Sequence, residues 1–119
     1  MKQRDAHYLE SNMLWIITKD HSETRQEGHV NPGSRARYLA WSGAPAEARD
    51  SIRSTWAESC ETEFRLLDAD GNVCYEGVCH DLDNQDGDSA FEPLDWAEGL
   101  IGATSMQYGV KGSAGWREL

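Results

Sequence analysis

Residues His80 to Glu92 read HDLDNQDGDSAFE, with four aspartates and a glutamate around one glycine. Carboxylates at this density do one of three things. They ligate a hard cation, attract a basic partner, or keep a connection hydrated. An EF-hand loop needs oxygen ligands at positions 1, 3 and 5, glycine at 6 and glutamate at 12. Counted from Asp81, the ligand positions hold Asp81, Asp83 and Gln85, and Glu92 falls at 12. Position 6, however, is Asp86, and Gly87 comes one place late. The segment therefore departs from the EF-hand pattern and leaves only an irregular cation site open. Asp68-Ala-Asp-Gly-Asn72 also invites a calcium reading, but a tight turn accounts for each of its residues.

Cys60, Cys74, Cys79 and His80 raise the question of zinc. Side chains alternate along a strand, so Cys74 and Cys79 are expected on opposite faces, and their spacing is wider than a zinc knuckle uses. Cys79 reads as a small buried apolar residue. Cys79 and His80, adjacent in a strand, point away from each other and make no local thiolate–imidazole pair. The chain has no glycine-rich phosphate loop, no nucleophile elbow and no His-Glu-x-x-His. With 21 acidic residues, a close carboxylate pair is expected by chance. The expectation is a protein without catalytic activity, resident metal or cofactor.

The charge is unevenly placed. From Glu58 to Glu98 thirteen acids face one base, Arg65, which gives −12; the remaining residues hold eight acids and ten bases, which gives +2. At a net charge of −10, nucleic acid and anionic membrane are poor direct partners, and a basic protein is a better one. No run of eighteen apolar residues spans a bilayer, and MKQRDAHYLES lacks the apolar segment of a secretion signal. Three cysteines in that context imply reduced thiols and a cytoplasmic location.

The elements that must position these groups fit one domain over residues 1–119. Met13 to Lys19 is apolar on both alternating faces, the pattern of a strand covered on both sides. Asp20 to Ser34 reads as a loop, and Arg37 to Trp41 as a second strand. A helix opens after Ser42-Gly43, with Pro45 in its first turn, and ends near Glu58. Ala48, Ile52 and Trp56 make its apolar face. Glu63 to Glu76 is a hairpin around Asp70-Gly71, which predicts a two-residue type I′ turn. In that register Ala69 faces Asn72, Leu66 faces Tyr75 and Arg65 faces Glu76. Phe64, Leu66, Val73 and Tyr75 become core, Glu63, Arg65 and Glu76 meet water, and Leu67 and Cys74 lie beside the turn. Pro93 to Ile101 reads as a helix stopped near Gly102, followed by a strand from Ala103 with Thr104, Met106 and Tyr108 on one face. Trp116 to Leu119 pairs back on it. The sum is an α+β fold: a mostly antiparallel sheet of about five to six strands with two helices.

LWIITKDH, FRLLDADGNVCYEG, FEPLDWA and GATSMQY, in that order, resemble a family of small, uncharacterised acidic α+β proteins of bacteria, phages and plasmids. The resemblance spans most of the chain and is weak from His21 to Cys60. It implies the fold and a mobile-element origin, and no catalytic residues.

Together these readings predict a non-enzymatic accessory protein whose acidic face blocks a basic, nucleic-acid-handling host protein. The face is assigned to Asp81, Asp83, Asp86 and Asp88, supported by Glu61, Glu63 and Glu76. The competing expectation is a small-molecule or cation-binding module with its site at residues 81–92. Acidity that serves solubility alone is a third.

Overall fold

The computed structural model describes residues 13–80, 82, 90–113 and 115–119. The chain builds β1 (Trp15–Asp20), β2 (Val30–Asn31), α1 (Arg35–Ser42), α2 (Ala46–Ser59), β3 (Thr62–Leu67) and β4 (Val73–Cys79), then α3 (Glu92–Ile101), β5 (Ser105–Val110) and β6 (Arg117–Glu118). The six strands form one sheet in the order β2-β1-β4-β3-β5-β6, and all neighbours run antiparallel. The fold is thus the expected α+β architecture, with three helices where two were read.

The β1 sequence, apolar on both faces, is buried on both. Trp15 and Ile17 join Phe64, Leu66, Tyr75, Cys79 and Met106 in a core roofed by α3 through Ala97, with Leu94 and Trp96 packed on its margin. Leu14 and Ile16 face the other way, onto Val30, Val78 and Cys60, with Trp41 of α1 and Trp56 of α2 against them. Residues opposite one another on neighbouring strands share a face. Glu63 opposes Val78, and Arg65 opposes both Glu76 and Gln107, so these polar residues lie on the α2 side of the sheet. There the helical cover ends and the face becomes polar.

Several local expectations change. Arg37 to Trp41 is part of α1, because the Ser34 hydroxyl accepts the Arg37 N–H and caps a run of helix-forming Arg, Ala and Leu. The loop from Asp20 to Ser34 contains β2, held where Ile17 N–H donates to His29 O and Gly28 N–H to Ile17 O. The hairpin turn is not type I′, which needs positive φ at both central residues. Gly71 N–H donates to Asp68 O, Gly71 alone in the turn has positive φ (83°), and the Asp68 carboxylate accepts from Asp70 N–H and Asn72 N–H at 2.9 Å each. This is a three-residue loop with a glycine bulge. Leu66↔Tyr75 and Arg65↔Glu76 pair as expected, but the register then shifts so that Leu67 opposes Val73, and Asp68 bonds to Asn72 where Ala69 was expected to face it. Cys74, left over by the shift, turns into the α3-side core with Cys79 instead of away from it, and Val73 is only half-buried. Thr104 precedes β5 and is exposed.

Gly77 has no Cβ for a packing reason. A methyl there would overlap the Phe64 ring and the Ile16 carbonyl oxygen.

Candidate functional site

The acidic site divides at the boundary of the described residues. Asp81, Asp83, Asp86 and Asp88 lie outside them; Glu61, Glu63 and Glu76 lie inside. β4 runs toward the segment and ends at Cys79, opposite Thr62 at the start of β3. Glu61 and Glu63 therefore stand at the sheet end where the acidic segment begins. Glu61 is exposed and Glu63 half-buried. Glu76 lies three residues back along β4, about 10 Å away at strand spacing. It is also engaged, its carboxylate meeting His21 Nε2 at 2.6 Å. Arg65 interrupts the acids on this face. Its guanidinium donates to Gln107 Oε1 at 2.6 Å and lies 4.3 Å from the centre of the Trp116 ring. The described part of the face is thus a mixed-charge patch, with Lys111 beside Glu61 at one end and Glu76 paired to His21 at the other.

The same sheet end carries groups that sequence reasoning left scattered. Ser59 Oγ lies 3.4 Å from His80 Nε2, beside Glu61, a Ser-His-acid combination. Ser59 Oγ donates to the Trp56 carbonyl at 2.6 Å, so its hydrogen is committed to α2 and the imidazole is not placed to remove it. Burial, helped by the Arg37 guanidinium and opposed by Glu61, lowers the His80 pKa. Burial raises the Cys60 thiol to about 11 despite Lys111, Ser59 and Arg37, which leaves it in the inert thiol form at neutral pH. A cleft of about 520 Å³ adjoins this end, lined by Glu61, Thr62, Leu82, Tyr108, Lys111 and Arg117 among others.

Glu92, the would-be twelfth position of a calcium loop, is the first residue of α3, and its carboxylate accepts from the Asn31 amide at 3.3 Å. Among the described residues no three His, Cys, Asp or Glu side chains stand close enough to hold a metal ion. Among them, too, no helix is long and apolar enough to cross a membrane.

Sequence reasoning missed two constructions. Asp20 accepts from Ser22 N–H, Ser22 Oγ–H, Thr24 Oγ1–H and Gln26 N–H. Burial opposes its ionisation, but these donors outweigh burial and lower its pKa to about 2. His29 stacks on Trp96, 4.7 Å between ring centres and 16° from parallel, with Trp15 at 5.3 Å. The Asp-x-Ser-x-Thr spacing from Asp20 was the legible sign of the first; nothing local marks the second, whose partners come from α3 and β1. No family model matches the chain, and neither does any curated protein or solved structure.

Proposed function

We propose that this protein binds a basic, nucleic-acid-handling protein through its acidic half and thereby occupies the surface that protein offers to nucleic acid. The observation that carries the reading is the −12 charge confined to Glu58–Glu98, with Glu61 and Glu63 at the sheet end where β4 finishes, two residues before Asp81 in sequence. Electrostatic complementarity of this kind steers encounter and selects partners. Duplex DNA carries a charge about every 1.7 Å of axis, whereas one strand face places a residue only every ~6.6–6.8 Å. A single strand therefore cannot imitate it. The four aspartates supply the density that Glu61 and Glu63 lack, and Glu76, tied to His21, contributes least.

Reversal of Asp81, Asp83, Asp86 and Asp88 to lysine is expected to abolish partner binding, while the circular dichroism spectrum and melting temperature stay those of the parent. Glu76→Gln is expected to leave binding nearly unchanged. Full binding by the fourfold variant would sink the proposal.

A second reading rests on the 520 Å³ cleft, a volume within the range of small-ligand sites, which Leu82 of the same segment helps to line. It assigns the protein a small molecule or a cation. Binding lost to chelator or to cleft substitutions such as Tyr108→Ala, and insensitive to salt, would favour it over the protein partner.

A further inference from the structure

We propose that the cleft between β1 and α2 binds a small dipolar ion of the α-amino acid class. This cleft, of about 370 Å³, shares no lining residue with the one beside Glu61. Ile16, Thr18, Glu27, Gly28, Arg53 and Ser54 line it, among others, and its volume suits a small ligand. Its two walls differ in hydrogen-bonding kind. α2 contributes the Arg53 guanidinium, which only donates, and the Ser54 hydroxyl. The strand side contributes acceptors. Glu27 lies in the loop before β2, and Thr18 stands where the β1–β4 register shifts between Ile17 and Lys19. Thr18 Oγ1 donates its hydrogen to the Glu76 carbonyl at 3.2 Å, so toward a ligand it acts as an acceptor.

The guanidinium is fixed before any ligand arrives. Arg53 Nε donates to the Gly28 carbonyl at 2.9 Å, Nη1 donates to Asp50 at 2.8 Å, and Cζ lies 5.3 Å from the centre of the Trp41 ring. Gly28, with φ 89°, makes room for it: a Cβ there would lie 3.3 Å from Arg53 Nε. Nη2 has no hydrogen-bond partner among the described residues. Glu27 is held in turn, its Oε1 accepting Asp20 N–H at 3.4 Å. Arg53 and Glu27 thus line one cleft without pairing with each other; the acid that Arg53 pairs with is Asp50. Unlike charges held apart in one cleft match a ligand that carries both, a carboxylate for Arg53 and Ser54 and an ammonium for Glu27 and Thr18. A guanidinium fork already in place loses little freedom on binding a carboxylate. A simple anion would also meet Glu27, and a simple cation would also meet Arg53, so each satisfies only half of the cleft.

Titration of the isotope-labelled full chain with each common α-amino acid in turn, followed by amide chemical shifts, tests this. The expected result is saturable shifts at Thr18, Gly28 and Ser54 with at least one of them. The deaminated acid and the decarboxylated amine of the tightest binder should each bind about tenfold more weakly, because each leaves one charge of the cleft unmatched. Arg53→Lys, which keeps the charge and loses the fork, should weaken binding about tenfold. Glu27→Gln should weaken it about fivefold, the scale of an exposed charge pair. Both variants should keep the far-ultraviolet circular dichroism of the parent. The fourfold aspartate-to-lysine variant should bind the amino acid as the parent does, so this inference and the partner reading fail separately. No saturable shift at these residues with any amino acid overturns the proposal. So does a deaminated acid that binds as tightly as its amino acid, or binding that either substitution leaves untouched.

Discussion

The Asp20 carboxylate gathers four donors from three residues and so fixes the path of the segment leading back to β2. The Thr24 hydroxyl extends the network to the Tyr75 hydroxyl. Replacing Asp20 with Ala should cost about 1 kcal/mol, the scale of a few hydrogen bonds to a charge discounted for solvent screening. The folded-state pKa of about 2 lies below the ordinary 3.8, so this contribution is fully present above 3.8 and fades as pH falls toward 2. Urea unfolding of parent and Asp20→Ala at neutral pH and near pH 2 checks both; an equal gap at the two pH values would contradict the assignment. Gly77 is the second residue on which packing depends. Gly77→Ala should destabilise by about 1–3 kcal/mol, as overpacking does, because the Phe64 ring and a strand carbonyl occupy the space. Equal unfolding midpoints for the two proteins would show that Phe64 moves aside freely. Phe64 as core was legible from hairpin alternation. Its need for glycine opposite was not, because that depends on how deeply the ring leans over β4.

Elements with a strong local signature were legible, and those set by distant partners were not. β1 announced itself by apolar residues on both faces, and α3 by Pro93 and Gly102 at its ends. α1 was misread because Tyr38, Leu39 and Trp41 also suit a strand, while the deciding feature, the Ser34 cap, is a single hydrogen bond. β2 is a two-residue strand that exists only because β1 lies beside it. The stretch before β2 presses His29 against Trp96 and Trp15, and burial lowers its pKa. The folded state then binds fewer protons than the unfolded chain below the ordinary histidine value of 6.5, so stability should fall as pH drops through that value. His80 is shifted the same way and adds to the effect. His29→Phe should keep the stack and remove part of the slope. Unfolding midpoints compared between pH 7.5 and 5.5 test it, and an unchanged slope in the variant would assign the dependence elsewhere.

At the scale of the molecule, the sheet order joins β1 to β4 and β3 to β5, pairings across many residues that no local pattern encodes. Only the β3–β4 hairpin could be registered in advance, and it placed Glu63, Arg65 and Glu76 on one face. The partners that modify that face, His21 for Glu76 and Gln107 with Trp116 for Arg65, come from loops and strands far along the chain. The acidity itself was legible by counting; what the fold adds, and counting could not, is that Glu61 and Glu63 share one sheet end with Lys111 and with Arg37 of α1. The measurement that tests this account most directly is a pull-down from lysate of the source organism or its host, run in parallel with the parent and the fourfold aspartate-to-lysine variant. Both are eluted with a salt gradient, with and without chelator. The account predicts a basic nucleic-acid-binding protein retained by the parent, released by moderate salt, indifferent to chelator and absent from the variant. The same protein retained equally by both, or none retained by the parent at any salt, would contradict it.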